Sequence, residues 1–284
     1  MRFNLTTPKL ELRIGLEEIS KVRIHEEIIP ELLEKLQSAI KSDGMAKHPV
    51  IVDSNTLVVL DGMHRVAALE RLGCKYLPVC FIDYQSSGVE VGCWHRAIVG
   101  PASVDELLAA VRALDIALEE SQLERAMRML DVREAPVVLR TRGRCYLAKG
   151  ASEGIRESYA LVKRIERTLV ERGLGVDYET EGDAAREVQS GKAIAALLTP
   201  RVTKEEVVEA AISGRVFAHK TTRHVLAARP MNVDVPLDWL MGRESLEKIN
   251  RKFVDHLSRR KVRHLPKGEM FEGRRYEEEL LVFQ

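Results

Sequence analysis

Residues 56–60 form a short β-branched run that leads directly into Asp61-Gly62-Met63-His64-Arg65. Val66, Ala67, Leu69 and Leu72 then recur at helical spacing, and Gly73 supplies a stop. The two-residue period of a strand and the 3.6-residue period of a helix are not interchangeable, so the five residues between them must make a strand-to-helix turn. A helix start exposes unpaired N–H groups and the positive end of the dipole, and both attract an anion. Gly62 lets a ligand approach the backbone closely, while His64 and Arg65 add side-chain donors. A plainer alternative stays open, in which Asp61 caps the helix and Arg65 makes a surface ion pair.

Upstream, residues 9–24 alternate apolar and polar, as short half-buried strands do. Pro30 suits a first helical turn, with Leu32, Leu33, Leu36 and Ile40 repeating behind it and Asp43-Gly44 ending the helix. Residues 48–52 and 56–60, joined at 53–55, read as a hairpin. Strands are expected at 77–84 and 89–94. Beyond Gly100-Pro101, helices are expected at 103–114, 121–130, 153–172 and 204–213. Strands are expected at 135–140, 145–148, 175–178 and 192–198. From Gly242 the chain turns basic (Arg251, Lys252, Arg259, Arg260, Lys261, Arg263, Lys267, Arg274, Arg275), with one helix expected at 244–257.

Two further clusters carry chemistry. His25-Glu26-Glu27 puts a carboxylate between a strand and a helix, where it could accept a hydroxyl proton; an ordinary acidic first helical turn is the competing reading. Lys220-Thr221-Thr222-Arg223-His224 gathers two cations, two hydroxyls and an imidazole, a set able to clamp a carboxylate or phosphate.

Composition excludes several classes. Formal net charge is +1, so no global field draws the chain to nucleic acid or a membrane. The four cysteines have no C-x-x-C spacing, which removes disulfide-scaffold and structural-zinc readings. No apolar leader or bilayer-length segment is present, so a soluble cytoplasmic protein is expected, without a membrane partner. With 31% charged and 5% aromatic residues the usage resembles that of thermophiles.

Taken together the motifs resemble the archaeal free L-serine kinases, within the superfamily of ParB N-terminal domains and sulfiredoxins. The family's Asp-Gly-His-His-Arg and Leu-Gly stand here as Asp61–Arg65 and Leu72-Gly73, and its His-Glu as His25-Glu26. Its Ile-Asp-Tyr…Gly-Val-x-Val…Trp is similar to Ile82-Asp83-Tyr84, Gly88-Val89-Glu90-Val91 and Trp94. Lys-Thr-Thr-Arg-His-Val-Leu runs unbroken from Lys220 to Leu226, and the likeness covers residues 9–240.

The resemblance implies an α+β chain with a ParB/sulfiredoxin-like N-terminal domain packed against a second α/β domain, the active-site cleft lying between them. The expected boundaries are 1–100 for the nucleotide-binding domain, 101–242 for the domain with the Lys-Thr-Thr-Arg-His loop, and 243–284 for a basic extension. It implies a phosphotransferase making O-phospho-L-serine for cysteine biosynthesis, with ADP or ATP as donor and Mg²⁺ as cofactor. Glu26 would be the acid–base residue; Asp61 would assist it or help place Mg²⁺. Gly62, Met63, His64 and Arg65 would line the phosphate site, and Trp94, Lys220, Thr221, Thr222, Arg223 and His224 would hold the hydroxy amino acid.

Met63 departs from the family pattern, since it takes the place of a histidine and offers no donor. It also excludes sulfiredoxin chemistry, which needs a thiolate there. A kinase for threonine or a polyol, and a non-catalytic ParB-like nucleotide-binding or DNA-binding regulator, are the rival readings. The latter lacks an evident recognition helix. The stretch 243–284 could be a lid, an oligomer contact or a nucleic-acid arm, and is expected to be a solvated extension.

Overall fold

The computed structural model describes residues 1–149 and 154–284, so the first residue of the helix expected at 153–172 lies outside the described residues. The chain divides into two compact units, 1–90 with 204–219 and 224–284, and 91–203 with 220–223.

The first unit is built on a five-stranded sheet in the order Phe3–Thr6, Glu11–Glu18, Tyr76–Ile82, Val50–Asp53, Val59–Asp61. Neighbours are antiparallel except Val50–Asp53, which runs parallel to Tyr76–Ile82. Every residue of Tyr76–Ile82 is buried, as a central strand covered on both faces requires. Helices Pro30–Asp43 and Met63–Arg71 pack together. Pro30 opens the first of these, and Gly44 closes it in the left-handed region with its N–H on the Ile40 carbonyl.

The stretch 243–284 is not a solvated extension. Helix Leu246–Ser258 buries Ile249, Phe253, Val254 and Leu257. Its Asn250 side chain accepts from Leu16 N–H at 2.7 Å and donates to Leu16 C=O at 3.0 Å, satisfying backbone beyond the register of the Phe3–Thr6 strand. Strand Glu279–Phe283 lies between Ala228–Met231, to which it is parallel, and Val262–Leu265, to which it is antiparallel. Leu280, Leu281, Val282 and Phe283 are buried. The arginines and lysines take the outward positions of elements whose apolar faces complete a core, so charge along the chain concealed a buried strand.

The second unit is a six-stranded antiparallel sheet in the order Gly175–Glu179, His95–Val99, Ala195–Leu198, Val138–Thr141, Cys145–Lys149, Ala117–Ser121. Alternate residues face opposite cores: Ile98, Leu139 and Leu197 one way, Ala97, Val138 and Ala196 the other. Helices Val104–Arg112 and Ile155–Glu171 cover the first face, and Leu123–Asp131 and Glu181–Ser190 the second. Because His95–Val99 is internal to this sheet, the boundary falls near residue 90, not 100. Residues 204–219 and 224–242, expected in the second domain, belong to the first unit.

Candidate functional site

In the first unit, Val59–Asp61 is an edge strand of the sheet, and Gly62 turns it into helix Met63–Arg71 at φ 96°. A Cβ at this position would stand 2.7 Å from Arg65 Nη2, so glycine is required both for the backbone angle and for the side chain that folds over it. No side chain caps the helix.

Asp61 does not act as the cap. Its Oδ2 accepts from Arg229 Nη1 at 2.7 Å and from Arg65 Nη2. Arg65 Nη1 also donates to the Pro49 carbonyl at 2.8 Å, so the expected ion pair forms and the guanidinium lies back over the turn. Arg229 in turn donates through Nε to Glu278 at 2.8 Å. The result is a chain of four alternating charges, Arg65–Asp61–Arg229–Glu278. Burial would raise the Asp61 carboxyl, but Arg229 and Arg65 outweigh it and hold the group well below the usual carboxylate range.

Glu26 stands four residues ahead of Pro30, outside the helix, and is 4% exposed. It is therefore a buried carboxylate and not a solvated first-turn acid. Backbone pairing fixes it: Phe217 N–H donates to His25 C=O at 2.8 Å, and Glu27 N–H to Phe217 C=O at 2.9 Å. His25 is fully buried. A carbonyl can only accept, so its Nδ1 carries the proton given to Val59 C=O at 2.7 Å. Burial lowers its pKa, which keeps the ring neutral.

Further imidazoles pair up in this unit. His64 Nε2 accepts from Ile29 N–H at 3.0 Å, and its ring stands edge-on to His219. His224 stands edge-on to His25 and lies 2.7 Å from the Tyr84 hydroxyl. Burial, with His25 next, pushes His224 well below its ordinary pKa. A cavity of about 190 Å³ opens beside Arg65. Leu36, Ala39, Ile40, Met45 and Leu69 give it apolar walls, and Lys47, His48 and Arg65 contribute nitrogen donors.

In the second unit the segment 220–223 is held by the buried side chains of Arg96 and Tyr159 and by half-buried Trp94. Arg96, 1% exposed and ion-paired with Glu166, donates to Lys220 C=O at 3.1 Å. The Tyr159 hydroxyl reaches Thr221 C=O at 3.0 Å, and Trp94 Nε1 donates to Thr222 C=O at 3.1 Å. Arg223 pairs with Glu181 at 3.1 Å. Lys220 sits at φ 62° with its ammonium 4.5 Å over the Trp94 ring, a cation–π contact. Trp94 is thus a platform for this segment.

Sequence reasoning placed Glu26, Asp61, His64 and His224 as separate motifs, and all of them lie in the first unit. It placed Trp94 and residues 220–223 together, and they share the second. It missed Arg229 and Glu278, because single charged residues carry no local signal, and it noted Tyr84 only as part of a family motif. It also missed the Arg96 anchor.

No family model matches the chain. Over 230 residues it is 32% identical to an ATP-dependent L-serine kinase of Staphylothermus marinus, spanning 78% of this chain and 89% of that one. An ADP-dependent L-serine kinase of Thermococcus kodakarensis is 27% identical over 230 residues, spanning 78% and 91%. Among solved structures, a free serine kinase in complex with AMP matches with a TM-score of 0.68 at 27% identity, covering 80% of this chain and 93% of that one.

Proposed function

The chain belongs to the free L-serine kinase family, and on that premise we propose that it transfers a phosphoryl group from ADP or ATP to the hydroxyl of free L-serine. The observation that carries this reading is the 32% identity sustained over 89% of a serine kinase. Phosphoryl transfer demands alignment and neutralisation of charge more than covalent chemistry.

The start of helix Met63–Arg71 just after Gly62 is the seat we assign to the donor phosphates, with His64 and Arg65 shaping the turn. The cavity beside Arg65 is wide and apolar enough for the nucleobase. Glu26, buried and fixed by its backbone pairing, is the base that takes the serine hydroxyl proton. Lys220, Thr221, Thr222, Arg223 and His224, with Trp94 beneath the first of them, are the groups we assign to the amino acid.

Mg²⁺ fits this site as an ion carried in by the nucleotide. Among the described residues no cluster of three His, Cys, Asp or Glu could hold a metal alone, and Asp61 already answers two guanidiniums. Such an ion would help neutralise the charge on the donor's phosphates. Supply of O-phospho-L-serine to cysteine biosynthesis, in the cytoplasm, completes the proposal. Among the described residues no helix is long and apolar enough to cross a membrane.

Phosphorus NMR of the purified protein with Mg²⁺, L-serine and ADP or ATP tests it. A phosphomonoester that requires serine, formed with AMP or ADP, is the expected result. No phosphomonoester with either donor would refute the kinase reading, and one formed only with threonine or a polyol would change the acceptor.

A further inference from the structure

Three ties fasten the segment 262–283 beside the Asp61–Arg65 turn. Its hairpin, Met270–Phe271 with Arg274–Arg275, turns through Glu272 at φ 48° and Gly273 at φ 76°, the two left-handed residues of a tight hairpin turn. Glu272 reaches His48 Nε2 at 3.1 Å, next to Pro49, whose carbonyl anchors Arg65. Glu278 binds Arg229, which binds Asp61. Phe271 and Tyr276 pack on the buried cluster Met231, Leu280 and Val282. The hairpin is therefore seated on the first unit at its tip, its base and its apolar side.

Charge counting shows what this achieves. In the chain Arg65–Asp61–Arg229–Glu278, two carboxylates cancel two guanidiniums. Met63 has no donor, so the turn itself carries little excess positive charge for a polyphosphate. Arg274 stands between the Glu272 and Glu278 ties, exposed, with its guanidinium 4.9 Å over the Tyr276 ring. It makes no ion pair among the described residues. It is close enough to help hold Asp61 ionised, as Tyr276 is to act on Arg65.

We propose that the C-terminal hairpin is part of the nucleotide site of this chain, with Arg274 contacting the donor's outer phosphates and Glu272 and Glu278 holding the hairpin in place. This rests on the nucleotide-binding part of the reading above. Stacking on Tyr276 keeps the guanidinium extended and limits the rotamer freedom lost on binding.

Calorimetric titration of adenosine, AMP, ADP and ATP without serine tests it, using wild type, Arg274→Ala, Arg274→Lys and Arg275→Ala. Arg274→Ala should weaken ADP and ATP about tenfold at low salt, the worth of one charge-assisted hydrogen bond, and leave adenosine unchanged. The deficit should shrink as salt rises, Arg274→Lys should recover part of it, and Arg275→Ala should bind as wild type. ADP and ATP bound by Arg274→Ala as by wild type would overturn the proposal. So would an equal loss for adenosine, which would mark the hairpin as fold support only. If the wild type binds neither nucleotide, the underlying reading fails and this proposal with it. If it binds both but never phosphorylates serine, the kinase reading fails while the Arg274 comparison still decides the hairpin's role.

Discussion

Gly62→Ala puts the strand-to-helix turn under a load whose size can be worked out. At φ 96° an L-residue is strained by about 1–2 kcal/mol. The new Cβ would also lie 2.7, 2.8 and 2.9 Å from Nη2, Nε and Cζ of Arg65. These atoms end a flexible side chain, so the guanidinium swings away and not the backbone. That motion breaks its bonds to Asp61 and to the Pro49 carbonyl. The side chains of Arg65 and Asp61 are 20% and 36% exposed, so their pair adds only about 0–1 kcal/mol. The sum, about 2 kcal/mol, lowers Tm by roughly 4–8 °C for a chain of this size. Misplacing Arg65 should also weaken ADP and ATP by about tenfold to a hundredfold. Gly73→Ala is the internal control: φ is 78° there but nothing lies within 4 Å of the added Cβ. It should show the strain and keep nucleotide affinity. Calorimetry and nucleotide titration of both variants check the reasoning, and equal nucleotide affinity in the two would refute it.

Glu26→Gln should lower serine-dependent turnover by about 10²–10⁴-fold while sparing the nucleotide dissociation constant, and near-normal turnover would remove Glu26 as the base. Arg229→Met leaves Glu278 buried without its partner and should cost about 3 kcal/mol. Adding Glu278→Gln should return much of that in denaturant titrations, and strict additivity of the two changes would show that the pair does not couple. Stability should fall as pH drops below the ordinary histidine pKa of about 6.5. His25 and His95 are buried, the latter with its pKa pushed down to about 4, so the unfolded chain takes up protons in that window and the folded chain does not. Asp61, held below the usual carboxylate range, keeps its contribution through the same window. A Tm unchanged from pH 7 to pH 5 would contradict this.

Much of the fold was legible because its determinants are local. Pro30 and Gly44 bracket a helix through their own backbone preferences. The 56–72 stretch reads as strand, turn and helix because its periodicity switches within a few residues. The Arg65–Asp61 pair is an i,i+4 contact and was open to the same reading. Strand Ala117–Ser121 was missed because an edge strand, exposed or half-buried throughout, shows no apolar alternation.

The sequence by itself determined the family motifs, the glycine turn and the elements whose signals lie within one or two turns of chain. Only the tertiary structure decided what those elements face. Arg229 meets Asp61 from 168 residues away, Phe217 pins Glu26 through backbone pairing, and a basic tail turns out to hold a buried strand and the Glu278 counter-charge. The reason is physical: backbone propensity and capping act over a few residues, whereas desolvated charges find partners wherever burial brings them together.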